Sequence, residues 1–412
     1  MFTETKTKPK NRYSLYIAAI WFINFAVFMG RYSYGTVIAD IEKSFLAAGF
    51  SDAATEASLA TTYLFFTYAV GQMLYTFVSK KISPKHIVFY SIVAVTVFTF
   101  GVAVLPLPFA KWLWAINGFF HAVLYVSSMG VLSSFLPKQE MLKAGAAMSS
   151  VMPVAQLALY VFAALFAGIA DWKWLFYIAS FMMAIAAAVW FFVYRALEKL
   201  PKITEENGEI SVRVRKPTAA FFVLLSAFCF VALICVGAKH IVSDWTPKIF
   251  ATEYGMDSSY SYLLVGIMMT ASALSVPLTR TLAKWQENYC LLDIYQLIVL
   301  AGLALLIAFV KMPFVPFFII LVLMSSLAFS ITNVAAGFAP FAYREYMSAD
   351  VSGGWVNAVS CFGASLASML AGYCMGNSDF KTLFVVLAIA CAATCLPMAA
   401  GAVAHRKLRD SE

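Results

Sequence analysis

Charge is what this sequence has least of. Only 12% of its 412 residues are Asp, Glu, Lys or Arg, and 62% are apolar. Soluble domains run about 25% charged and about 45–50% apolar. A water-soluble globule of this composition could not cover its own surface, so the solvent must be lipid. Acid is scarcest of all. No Asp or Glu falls inside the first six long apolar stretches, and Asp40 sits just past the end of the first. A GxxxxGK(S/T) phosphate loop is missing, as is any HExxH or Cys/His cluster. Nothing therefore points to an ATP-driven pump or a metalloenzyme, and no cofactor is expected. The seven cysteines all lie in apolar stretches, not in loops with framework spacing, which argues against a disulfide scaffold. Cys391 and Cys395, spaced i, i+4, read as small packing residues. A cleavable signal peptide is not expected either. Met1 to Arg12 is polar and basic, and the first apolar stretch is too long and carries an arginine.

Long apolar runs are what the chain does have. About 20 apolar residues cross a hydrocarbon core as a helix. Twelve such runs are read at 14–39, 57–79, 85–106, 111–136, 143–169, 174–196, 218–247, 258–282, 289–310, 313–338, 351–375 and 381–403. They are too long for barrel strands, and backbone groups in lipid must be satisfied within the segment. The expectation is an all-α membrane protein of twelve transmembrane helices.

The net charge of +8 invites a nucleic-acid reading, but the placement of the charges opposes it. The termini and the even-to-odd loops hold 21 Lys and Arg; the opposite loops hold 6, and two lie inside spans. The positive-inside rule then puts both termini in the cytoplasm, in the plasma (inner) membrane. The expected partners are the bilayer and a small anionic substrate, without nucleic acid, and the chain is taken as a monomer.

One polar segment, 197–217, breaks the apolar rhythm and divides the spans six and six. The expected organisation is a cytoplasmic N-terminus 1–13, a first half 14–196, a linker 197–217, a second half 218–403 and a cytoplasmic C-terminus 404–412. The halves read as repeats. Leu-Pro-Leu-Pro-Phe at 105–109 matches Val-Lys-Met-Pro-Phe at 310–314, and the intramembrane cations Arg31 and Lys239 stand 208 residues apart. Carriers built from such repeats bind substrate near the midplane between them.

Arg31 lies well inside the first span. A charge at the bilayer centre costs about 2.5–3.5 kcal/mol on insertion scales, so it must face a cavity or a partner. Its polar neighbours include Tyr34. The alternative is a structural ion pair, for which the first half supplies no acid. Lys239 sits late in span seven, five residues before Asp244. It either lines a cavity or snorkels to the interface. Polar side chains recur at helical spacing in Tyr68 and Gln72, Asn117 and His121, and Gln156 and Tyr160; span ten adds Asn333 and span eleven Ser360. Each alone reads equally as interhelical glue; together they read as a polar path with largely apolar walls. Proton symport through an interior carboxylate is disfavoured, with His121 or His240 as substitutes.

These residues carry a family resemblance that covers nearly the whole chain. The sequence resembles the major facilitator superfamily, and within it the organophosphate:phosphate antiporters, which include the glycerol-3-phosphate and hexose-6-phosphate transporters. Arg31 in Phe-Met-Gly-Arg-Tyr-Ser-Tyr is similar to that family's first-span arginine. Lys239 followed by Asp244-Trp245-Thr246-Pro247 resembles its span-seven Arg…Asp-Trp-x-Pro pattern. Tyr68 and Asn117-Gly118-Phe119-Phe120 resemble its span-two tyrosine and its span-four Asn-Gly-Trp-Phe. The resemblance implies two six-helix pseudo-symmetric halves. It also implies that Arg31 and Lys239 grip an anion, Tyr68 hydrogen-bonds nearby, and Asn333 and Ser360 lie near the pocket. The chain departs from the family in having Lys rather than Arg at 239, Gln72 where a lysine is common, and no histidine across 149–153. Its 79–85 loop keeps the superfamily motif's basic character without the Asp and Gly.

The expected activity is secondary active transport of a small organic anion, a phosphorylated metabolite exchanged for phosphate or another anion. Proton- or sodium-coupled symport of a sugar acid and non-transporting sensing of sugar phosphates are the rivals. An enzyme is not expected.

Overall fold

The computed structural model describes residues 10–78, 81–199, 215–273, 275–377 and 379–410. Every regular element among them is helical. The first part of the chain folds as α1 (Lys10–Thr36), α2 (Ile38–Ala47), α3 (Ala53–Val78), α4 (Pro84–Val104), α5 (Ala110–Phe135), α6 (Lys138–Met148), α7 (Val151–Phe166) and α8 (Lys173–Leu197). The second part folds as α9 (Ala219–Asp244), α10 (Thr246–Tyr254), α11 (Ser258–Ala273), α12 (Ser275–Trp285), α13 (Tyr289–Phe309), α14 (Phe314–Asn333), α15 (Ala339–Ala342), α16 (Ala349–Gly376) and α17 (Phe380–Asp410). The expected linker falls largely on residues outside the description, as does most of the expected N-terminal segment.

Boundaries follow local chemistry. Thr218 caps α9 by accepting a hydrogen bond from the Phe221 N–H at 3.3 Å, and Asn288 caps α13 by accepting from Cys290 and Leu291. The proline signals at 105–109 and 313 hold: α4 ends at Val104, and α14 begins just after Pro313. Gly255 ends α10 in the left-handed conformation, φ +61°.

Nine helices among the described residues are long and apolar enough to cross a membrane. The other three expected spans fall on α3, on α6–α7 and on α11–α12. The span expected at 143–169 is broken around Ser149–Ser150, and the one expected at 258–282 falls on α11 and α12, which lie on either side of residue 274, outside the description. The reason is what these helices face. Helix α3 packs along α16, and α7 along α11. Surface that meets another helix need not be as apolar as surface that meets lipid. Three boundaries also move. The first span ends at Thr36 rather than 39, α17 stays helical through Asp410 into the expected C-terminal tail, and α14 passes into a π-helical turn at Val334–Phe338.

Side-chain bonds join the two parts mainly at the end that carries 37–53, 244–258 and 376–380. Lys248 Nζ meets Glu42 Oε1 at 2.5 Å and donates to the Met375 carbonyl at 3.1 Å. Tyr262 donates to Asp40 at 2.5 Å, and Tyr160 to the Ser243 carbonyl at 3.0 Å. Ser365 donates to the Thr62 carbonyl at 2.8 Å. Gly372 lets α16 lie against α3, because a Cβ there would collide with Ser58. At the opposite end the described pairs, such as Lys85–Glu198 and Tyr343–His405, join neighbours within one part.

Candidate functional site

The first helix of each part stops at an equivalent place. Helix α1 ends at Thr36 and α9 at Asp244, the same 208-residue offset that relates Arg31 to Lys239. Each helix is followed by a short one, α2 and α10. Each cation therefore sits five residues before a break in its span. The two helices meet just there. The Gly35 backbone lies against Asp244, and a Cβ at Gly35 would stand 3.1 Å from the carboxylate.

Both cations lie beside the Tyr32 ring. The Arg31 guanidinium lies 4.1 Å from the centre of the Tyr68 ring, 5.4 Å from that of Tyr32 and 5.5 Å from that of Phe65. Lys239 Nζ lies 5.8 Å from the centre of the same Tyr32 ring and 5.1 Å from that of Phe329. Its Nζ meets the Met152 thioether sulfur at 3.9 Å, a weak acceptor that also takes the Tyr32 hydroxyl at 3.3 Å. Among the described residues no carboxylate comes within salt-bridge distance of either cation. Arg31 Nε is buried without a hydrogen-bond partner. The one nearby acid, Asp244, is held by its own helix: Ser243 donates to Oδ1 at 2.6 Å, and Oδ2 lies 3.3 Å from His240 Nδ1.

The remaining expected site residues separate into two groups. Tyr68 stays with the cations, packed beside Cys361 of α16. Gln72 accepts from Asn357 at 2.7 Å, a bond between the two parts of the chain. Ser360 donates to the Asn357 carbonyl at 2.7 Å, next in sequence to Cys361. Asn333 donates to the Phe329 carbonyl at 2.8 Å, one turn from the ring beside Lys239.

Tyr34, Asn117 and His121 lie elsewhere. Tyr34 is fully buried against Trp114 of α5 and Phe176 of α8. The physical reason is helical angle. At 100° per residue Tyr32 and Gly35 flank Arg31 on one side of α1, and Tyr34 falls on the other. Asn117 donates to Thr99 at 3.0 Å, tying α5 to α4. Both ring nitrogens of His121 face backbone carbonyls at 3.1 Å, those of Asn117 and Val27. These three are interhelical ties within the first part. Asp293 is also interior, with both oxygens buried and without hydrogen-bond partners, among the second-part helices. The composition of the site adds Tyr32, Phe65, Met152, Phe329 and Cys361 to the sequence-based set, and it brings in His240, which the sequence offered only as a proton carrier. The 208-residue offset carried a signal for one of these: His240 is the counterpart of Tyr32.

A helical bundle of this size, with two buried cations that make no ion pair among the described residues, is the architecture of a polytopic membrane transporter. The sequence profile of the Major Facilitator Superfamily matches residues 20–353, and the chain belongs to that family. The fold is similar to that of a D-xylose–proton symporter (TM-score 0.67, 12% identity, 92% of this chain and 97% of that one). It is similar too to a bacterial homologue of the human lysosomal transporter Spinster in an inward-facing, unoccupied conformation (0.69, 13%, 97% and 98%). A third solved structure, the nucleoside transporter NupG, gives 0.67 at 14% identity, covering 94% and 99%. No curated protein matches the chain in sequence. At these identities the likeness is one of fold, and the cargo has to be argued from the site.

Proposed function

We propose that this transporter carries a small organic anion, a phosphorylated metabolite exchanged for phosphate or another anion. It acts as a monomer in the plasma (inner) membrane with both termini cytoplasmic. The observation that carries the reading is the shared Tyr32 ring, with Arg31 and Lys239 both beside it and neither paired to a carboxylate. Magnitudes support it. Placing each charge at membrane depth costs about 2.5–3.5 kcal/mol, and a cation–π contact returns about 0.5–2 kcal/mol. Three rings at Arg31 and two at Lys239 offset much of that cost, but they leave the repulsion of two neighbouring like charges unrelieved. A bound anion offsets it, with the guanidinium gripping two oxygens and the ammonium acting as a point charge.

Alternating access then follows from the two parts moving about the site. An empty site is costly to enclose because two cations lose water without compensation. A loaded site is not, so exchange is favoured over uniport. The test is a thermal-shift screen of the purified protein against inorganic phosphate, phosphorylated sugars, dicarboxylates and sugar acids, followed by counterflow in proteoliposomes. Stabilisation by a phosphorylated compound, and uptake that requires a trans anion, are expected. Stabilisation by neutral compounds alone would overturn the anion reading.

A further inference from the structure

The anion reading accounts for the charged head of the cargo and leaves the rest of it unassigned. A stripe of rings runs along α1 from Trp21 through Phe25 and Phe28 to Tyr32. At 100° per residue the first three lie within about 40° of Tyr32 around the helix. Their planes are nearly parallel in pairs. Trp21 and Phe25 stack at 5.4 Å with an interplanar angle of 10°, and Phe28 and Tyr32 at 6.1 Å with 16°. Tyr32 continues the stack to His240 of α9 at 6.3 Å and 20°. Tyr125 of α5 tilts against Phe28 at 6.0 Å, and the Trp21 indole N–H donates to Ser150 at 3.1 Å. Phenylalanines kept for packing are most often buried outright; Trp21, Phe25 and Phe28 are only half-buried.

The stripe faces the second part of the chain. Tyr32 meets His240, and Gly35, about 60° from Tyr32 around the helix, meets Asp244. The side-chain bonds between the two parts lie mainly beyond Thr36, at the end away from Trp21. Toward Trp21 the stripe therefore looks into the space between the parts. The 208-residue offset makes Cys229, Leu233 and Val236 of α9 the equivalents of Trp21, Phe25 and Phe28, and these three are half-buried as well. His240 is the equivalent of Tyr32 and is also the residue Tyr32 meets, so the two equivalent faces oppose each other. One face is made of rings, the other of aliphatic side chains and a thiol. The rings belong to one copy only, so the duplicated packing does not require them.

We infer that the cargo carries a flat unsaturated ring beside its anionic group, and that the slot between the ring face of α1 and the aliphatic face of α9 selects it. The inference rests on the anion reading and adds the organic part of the cargo. The anionic oxygens lie with Arg31 and Lys239 at the level of Tyr32. Four residues of helix rise about 6 Å, so a ring bonded next to the anionic group reaches the level of Phe28. There it packs on the half-buried Phe28 ring, with Leu233 and Val236 on its other side. Aromatic pairs gain more than the area they bury, through the fit of ring faces and edges. A puckered saturated ring of the same size gains the area alone. Phe25 and Trp21 extend the same surface for a larger or fused ring.

The test compares phenyl phosphate with cyclohexyl phosphate, equal in charge and close in size, and with inorganic phosphate. Binding to the purified full-length protein in detergent is measured at one pH. The wild type should bind phenyl phosphate about tenfold more tightly than cyclohexyl phosphate, the upper end of what an aromatic pair supplies. Phe28→Leu keeps an apolar side chain and removes the ring, and it should bring that ratio to within about twofold of one. Phe25→Leu should lower the ratio less, and Phe28→Tyr, which keeps the ring, should preserve it. Inorganic phosphate carries no ring, so its binding reports that each variant is folded with its cations in place. Equal affinity of the wild type for the two esters overturns the ring inference and leaves the anion reading standing. A preference for phenyl phosphate that survives undiminished in both leucine variants does the same. Binding of none of the three compounds by the wild type overturns the anion reading, and the ring inference with it.

Discussion

Helices α1 and α9 occupy equivalent places and do different work. Both carry a cation five residues before they end, and both continue into a short helix. Around that common plan the chemistry diverges. Helix α1 offers Arg31, Tyr32 and Gly35; α9 offers Lys239, His240 and Asp244. One side presents a permanent fork of donors and a flat ring. The other presents a point charge and an imidazole set against a carboxylate. The lesson is that a duplicated scaffold fixes where groups meet and leaves each copy free to supply a different function. Gly35 and Asp244 make the point in one contact, since the carboxylate has room only because its facing position has no side chain.

That contrast can be broken most severely at the cations. Arg31→Ala and Lys239→Ala should each reduce anion exchange in proteoliposomes by a hundredfold or more, at about 2.7 kcal/mol, with expression and insertion intact. Normal exchange by both variants would remove the anion site. The swapped double variant Arg31→Lys/Lys239→Arg sharpens the comparison. It should recover only part of the rate, because a fork and a point charge are not interchangeable. Gly35→Val comes next. Its side chain enters the space of the Asp244 carboxylate, and a drop of about tenfold in exchange is expected, about 1.4 kcal/mol, without change in the size-exclusion profile.

A smaller effect is expected where the halves are tied. Lys248→Ala removes the bonds to Glu42 and the Met375 carbonyl. It should alter the exchange rate severalfold, as about 1 kcal/mol of a partly exposed pair allows. The reversed pair Glu42→Lys/Lys248→Glu should restore part of it in a double-mutant cycle. The least consequence for transport is expected from Thr218→Ala, which strips the cap from α9. It should lower thermal stability by about 1 kcal/mol and leave exchange kinetics unchanged.

Much of the architecture could be read from the chain because lipid demands length and apolarity, and the sequence supplies both. The spans that stand out least, α3, α6–α7 and α11–α12, are interrupted by Ser, Thr, Lys or Arg among their apolar residues. The cations were legible because a charge in a membrane is conspicuous. Their surroundings were less so. Tyr34, Asn117 and His121 looked equivalent to Tyr68 because each is polar and embedded, and polarity does not say which way a side chain faces. Tyr34 could be sorted by its angle on α1 only once Tyr32 was known to face the cations, since it stands about 60° from Arg31 and Tyr32 about 100°. Asn117 and His121 could not, since their partners Thr99 and the Val27 carbonyl come from other helices. Met152 and Phe329 carried no signal at all. A thioether and a phenyl ring in an apolar stretch are indistinguishable from packing until a cation is found beside them.

The π-helical turn at Val334–Phe338 carries a consequence of its own. A wider turn accommodates one residue more than the regular ladder has bonds for. Two residues later Pro340 withholds the N–H that the Ala336 carbonyl would otherwise receive. The lower end of span ten is thus joined to its upper end by slack rather than by a rigid rod. At this point it lies against α16, where Gly353 faces Pro340, and a bend there has fewer regular-ladder hydrogen bonds to break than one in an unbroken helix.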